Sequence, residues 1–187
     1  MHAARTGNTR SFSPERAQWF VANVSRPLLL HAAEIDPKRM LLVIVHPGWL
    51  LDAYTAWYSQ EPSRVTLAPE ELRAAVADEI RSWEGDRVLL AGNSMHAIDH
   101  ETGGPLEAAV IEVWEHDSVI ITRTSKSDLR DATTILINRF QADLRPRILV
   151  TGGGADAERD CVGIVSRNLR EFGCKTVTVS PLAPTET

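Results

Sequence analysis

The sequence predicts a three-layer α/β/α sandwich built on a mostly parallel, Rossmann-like sheet. Three observations carry that expectation. Short apolar runs recur at 40–45, 87–91, 118–122, 147–151 and 176–179. Segments whose apolar residues keep helical spacing lie between most of them. The stretch from Arg147 to Val179 reads as a complete strand, glycine turn, helix and strand. A helix that joins two strands makes them parallel neighbours, so the five runs are expected to share one sheet with helices on both faces.

Taken in order, residues 1–12 are polar and without periodicity, and are expected to be a mobile tail. Ser13-Pro14-Glu15 opens a helix with a cap, a proline at the first position and an acid in the first turn. That helix carries Trp19, Phe20 and Val24 and should break near Pro27. Leu28 to Ala33 is expected to add a second helical turn. Met40–Val45 (MLLVIV) is the clearest buried strand and should lie centrally in the sheet. The aromatic segment from Trp49 to Thr66 is either a helix with an aromatic face or a lid over the strand ends.

Ala68-Pro69-Glu70 opens a helix with Leu72, Val76, Ile80 and Trp83 on one face, ended by Gly85. Arg87–Ala91 is a strand that exits into the polar loop Gly92-Asn93-Ser94-Met95-His96. Residues 102–105 (TGGP) are a turn. Ala109–Trp114 and Ser118–Thr122 both read as strands, paired as a hairpin or with the first at an edge. Arg123 to Ser127 is a polar loop, and Asp128 starts a helix through Leu129, Thr133, Leu136 and Phe140. In the last unit Asp156 is the expected N-cap. Val162, Val165, Leu169 and Phe172 form the helix's apolar stripe, and Gly173 ends it. Residues 180–187, with two prolines, are expected to be a tail. The whole of 1–187 is read as a single domain.

Composition narrows the function. Hydrophobic residues at 43% and charged residues at 24% are those of a soluble globular chain. A net charge of −5 argues against binding a nucleic-acid backbone. No apolar run approaches the length of a membrane span. The N-terminal MHAARTGNTRSF has basic residues but no apolar core behind them, so it is not read as a secretory signal. The two cysteines, Cys161 and Cys174, fit neither a disulfide framework nor a zinc site. The expected setting is cytoplasmic with reduced thiols. The expected partner is a small-molecule ligand, with no nucleic acid, membrane, metal or cofactor; assembly into a homo-oligomer is left open.

In parallel sheets of this kind, ligands sit at the carboxyl ends of strands beside helix N-termini. That rule selects the candidates. Gly152, Gly153 and Gly154 form either an anion cradle or simply a tight turn. The run lacks the spacing of a dinucleotide site and the ending of a P-loop. Cys161 follows the turn; a thiol near a helix N-terminus can have a lowered pKa and act as a nucleophile. Asp160 and Glu158 oppose its thiolate, and a helix starting at Asp156 would put Cys161 past the first turn. An inert core thiol is the other reading. His46 leaves the central strand, either as part of a site or as a histidine bonded at a strand end. Asn93 lies in the exit loop of the next strand. The cluster His96, Asp99, His100 and Glu101 matches no zinc spacing and reads as a solvated loop.

The segments DSVIITRTSKSDL, ILVTGGGAD, CVGIVSRNL and FGCKTVTV, with MLLVIV upstream, resemble the isochorismatase-like cysteine hydrolases. The resemblance covers about a third of the chain, mainly Asp117 to Val179. It implies a three-layer α/β sandwich and amide hydrolysis by a Cys nucleophile with an Asp and a Lys. Cys161 matches the nucleophile. Val45 and His46 stand where that family has its Asp. Its Lys falls on Thr122 or Arg123, with Lys126 a few residues on. Two functions follow. One is a cysteine hydrolase of a small amide or carboxylated substrate, with Cys161 attacking, His46 as base, and Arg123 or Lys126 binding anionic charge. The other is a non-catalytic α/β protein that binds a small anionic ligand or a partner protein.

Overall fold

The computed structural model describes residues 11–60, 67–101, 103–140, 145–154 and 160–184. A six-stranded sheet forms its centre, in the order β1-β4-β3-β2-β5-β6. Its strands are β1 (Leu28–His31), β2 (Met40–Val45), β3 (Asp86–Ala91), β4 (Ser118–Ile121), β5 (Arg147–Gly152) and β6 (Val177–Val179). All neighbours pair in parallel except β1, which runs antiparallel to β4 at one edge. The expected α/β/α sandwich is therefore present, and its five expected runs are all strands of this sheet.

Helices cover both faces. On one, α1 (Pro14–Asn23), α4 (Pro69–Arg81) and α5 (Pro105–His116) pack against Leu42, Ile44, Leu89, Ala91, Val119 and Ile121. On the other, α6 (Lys126–Ile137) and α7 (Cys161–Glu171) pack against Leu41, Val43, Val45, Val88, Leu90 and Ile120. The period-two alternation of strand side chains sorts one apolar run into two cores. Leu169, in the middle of the α7 stripe, is fully buried. Two short helices, α2 (Trp49–Asp52) and α3 (Tyr54–Gln60), follow β2. Among the described residues no helix is long and apolar enough to cross a membrane.

Several local expectations are corrected. Ala109–Trp114 belongs to a helix, not a strand. Gly104 caps it, Pro105 opens it, and Leu106, Ala109, Val110, Val113 and Trp114 are buried at helical spacing. Leu28 to His31 is an edge strand rather than a helical turn, fixed by pairing with β4 rather than by local preference. Phe12 is only 4% exposed and stands edge-on to Trp114 and His100, so the described end of the 1–12 segment joins the core. The last segment is also docked: the Ser180 N–H donates to the Val150 carbonyl, its hydroxyl to Glu79 at 2.7 Å, and Ala183 is buried. The helix begins at Cys161 with Asp160 in the cap position, so Cys161 is in its first turn. Asp156 lies outside the described residues.

The order of strands has one functional consequence. From β2 the chain moves through β3 to β4 on one side, then crosses to β5 on the other. Adjacent strands β2 and β5 thus lead away in opposite directions, which opens a crevice at their carboxyl ends.

Candidate binding crevice at the strand ends

The backbone at this switch point is drawn tightly together. His46 has φ 48°, which turns the chain sharply off β2 while its N–H donates to the Leu90 carbonyl at 3.0 Å. Its ring lies on Gly92, where a Cβ would come within 2.4 Å of it, so only glycine leaves the imidazole room. Gly152 ends β5 at φ 122°, and a Cβ there would sit 2.1 Å from the Val45 carbonyl oxygen. These contacts hold the exits of β2, β3 and β5 around a small cavity of about 140 Å³.

His46, Trp49, Asn93, Gly153, Gly154 and Cys161 line this cavity. Ser94, Thr124 and Asp160 complete the wall. Of the residues expected at a site, His46, Cys161, Asn93, Gly153 and Gly154 therefore meet in one place. Gly152 shapes the floor without lining it.

Arg123 and Lys126 are not among the lining residues. The Arg123 guanidinium donates to Asp128 and to the Ser25 carbonyl, both at 2.8 Å, and so ties α6 to the end of α1. Lys126 is the exposed first residue of α6. Neither brings positive charge to the cavity wall. Local sequence does not reveal this, because Arg123 finds its carboxylate five residues on and its carbonyl nearly a hundred residues back.

His46 is 5% exposed, and neither ring nitrogen has a hydrogen-bond partner. Burial lowers its pKa from 6.5 to about 4, so the ring is neutral at physiological pH and presents one N–H and one lone pair. This is not the histidine satisfied at a strand end.

The Cys161 thiol is pushed up to about 11, first by burial and then by the Asp160 carboxylate, with a backbone hydrogen bond acting weakly the other way. The helix N-terminus does not offset these effects. At pH 7 roughly one thiol in ten thousand would be ionised. Cys161 is partly buried and Cys174 fully so, and both thiols are free of disulfides.

Two N–H groups at the glycine turn and the start of α7 are already engaged. The Gly153 N–H donates to the Val45 carbonyl at 3.0 Å, and the Val162 N–H to the Gly154 carbonyl at 3.1 Å. These N–H groups already have acceptors and do not await a phosphate or carboxylate.

Sequence reasoning missed Trp49 as a wall of the site. Its ring meets Tyr54 and Trp57 at centroid distances of 5.6 and 6.0 Å, so the aromatic segment is both core and cavity wall. The last residues of that segment, 61–66, lie outside the described residues. Ser94 and Thr124 were also missed, each next to a residue that drew attention, and Asp160 was read only as opposing the Cys161 thiolate. In the His96–Glu101 stretch, the His96 ring bonds the Asn93 carbonyl and Asp99 accepts the Glu101 N–H. Among the described residues no group of three or more His, Cys, Asp or Glu side chains gathers closely enough to hold a metal ion.

Compared with family models, curated proteins and solved structures, the chain matches none.

Proposed function

We propose that this chain is a small-molecule-binding α/β protein whose binding site is the strand-end crevice. The observation that carries the proposal is His46: a buried, neutral imidazole at the crevice wall with both ring nitrogens unbonded. An unmet buried polar group costs about 1–3 kcal/mol. A ligand that hydrogen-bonds one ring nitrogen recovers part of that cost on binding. The location at the switch point of the sheet supports the same reading. The cavity of about 140 Å³ suits a compact molecule. A cytoplasmic setting fits the two free thiols.

A second reading is a diverged isochorismatase-like hydrolase. It is favoured by one observation, that Cys161 and His46 line the same cavity. The electrostatics work against it. A nucleophile needs a lowered thiol pKa, and a base near its operating pH is the effective one; Cys161 is raised and His46 lowered.

Titration of the protein with panels of small amines, amides and acids, read from the His46 ring and Trp49 indole NMR signals, tests the proposal. The expected result is saturable binding of at least one class at both residues, weakened ten-fold or more in His46→Leu. Binding that leaves His46 unperturbed, or no binding at all, would overturn it.

A further inference from the structure

We infer that the crevice selects a small primary ammonium compound over an anion of the same shape, an inference that rests on the small-molecule reading above. Four observations on the wall point the same way.

First, among the described lining residues the only full charge is negative, that of Asp160. Its side chain does not cap α7. It stands across the glycine turn, where a Cβ on Gly154 would come within 2.5 Å of its carboxylate. Its charge, rather than a vacant oxygen, is what matters here.

Second, the polar groups of the wall present lone pairs. Neutral His46 carries a lone pair as well as an N–H, so it can accept from an ammonium without distinguishing it from an anion. The Ser94 hydroxyl donates its proton to Asp52 at 3.2 Å, which leaves its oxygen to accept. An ammonium group brings N–H donors to each; a carboxylate brings none.

Third, Trp49 supplies an aromatic surface, the best of the side chains for a cation held close to a ring face. Fourth, no lysine or arginine is among the described lining residues. Arg123 is tied to Asp128 and Ser25, and the N–H groups of Gly153 in the turn and Val162 in α7 have carbonyl acceptors. The N-terminus of α7 contributes about half a positive charge, against a full negative one on Asp160 at its cap.

The test uses three probes of one shape: isobutylamine (an ammonium ion at pH 7.5), isobutyramide and isobutyrate. Each is titrated into the full-length protein, followed by the His46 and Trp49 signals. Isobutylammonium is expected to bind at least ten-fold more tightly than isobutyrate. Asp160→Asn, which keeps the side chain's size and a residue suited to the N-cap position, should remove most of that preference while the protein's circular dichroism and melting stay unchanged. Stronger binding of isobutyrate or isobutyramide, or a preference that survives Asp160→Asn, would overturn the charge selection and leave small-molecule binding standing. Silence of all three probes, and of the broader panels, would remove the binding reading itself and this inference with it.

Discussion

Beyond β4 the chain turns through Arg123, Ser125 and Asp128, and each of these side chains has a partner. Ser125 accepts the Asp128 N–H, Asp128 accepts from Arg123, and Arg123 reaches on to the Ser25 carbonyl. Beyond β2 the chain turns through His46, whose ring has none. Both loops leave the carboxyl edge of the same parallel sheet, and both looked like functional loops in the sequence. Their difference separates two uses of a polar strand exit. The first fastens a helix; the second holds an unmet hydrogen-bonding demand against a cavity. Charge alone does not mark a site, and a buried group kept without a partner asks for an explanation.

The two exits stand on one frame, and the largest expected effect comes from breaking it. Leu169→Ala should cost about 2–5 kcal/mol, because Leu169 is fully buried in the stripe that seats α7 on the sheet. A urea midpoint lowered accordingly, with the slope unchanged, is the expected outcome.

The next effect sharpens the contrast through pH. His46 titrates near 4 in the folded protein and near 6.5 in the unfolded chain, so the unfolded state takes up a proton that the native state refuses. Stability should therefore fall as pH drops through 6.5 toward 4, with a contribution of about 3 kcal/mol in total. The contribution is fully present above pH 6.5. Chemical denaturation at several pH values checks it, and His46→Leu should flatten the profile over that window.

The satisfied exit should respond in the opposite sense. Arg123→Ala leaves the 7% exposed Asp128 without its guanidinium. Because the arginine itself is half-exposed, the loss should be about 1–2 kcal/mol, measured by thermal or urea unfolding at pH 7. Probe binding in the crevice should not change.

Much of this was legible beforehand. The five parallel strands announced themselves as apolar runs, and Cys161 and His46 stood out by position at strand exits. Helix α5 was misread because the run was cut at Ala109; extended back to Pro105 and Leu106, its period becomes helical. Strand β1 was hidden because LLLH gains its conformation only from β4, which lies some ninety residues away. The same limit applies to the site. Whether Arg123 faces a cavity or a carboxylate depends on Ser25 and Asp128, not on its neighbours in sequence. The direction of the Cys161 shift was foreshadowed by Asp160, while the dominant cause, burial, appears only once the chain is folded.

The central claim is that the crevice binds through His46 and does not attack through Cys161. Iodoacetamide alkylation of Cys161 across pH, on Cys174→Ser to isolate one thiol, tests it most directly. The account predicts slow reaction at pH 7, with the rate still rising past pH 9 toward a midpoint of about 11. A midpoint at or below the roughly 8.5 of an ordinary thiol, with fast alkylation at neutral pH, would contradict it and restore the nucleophile.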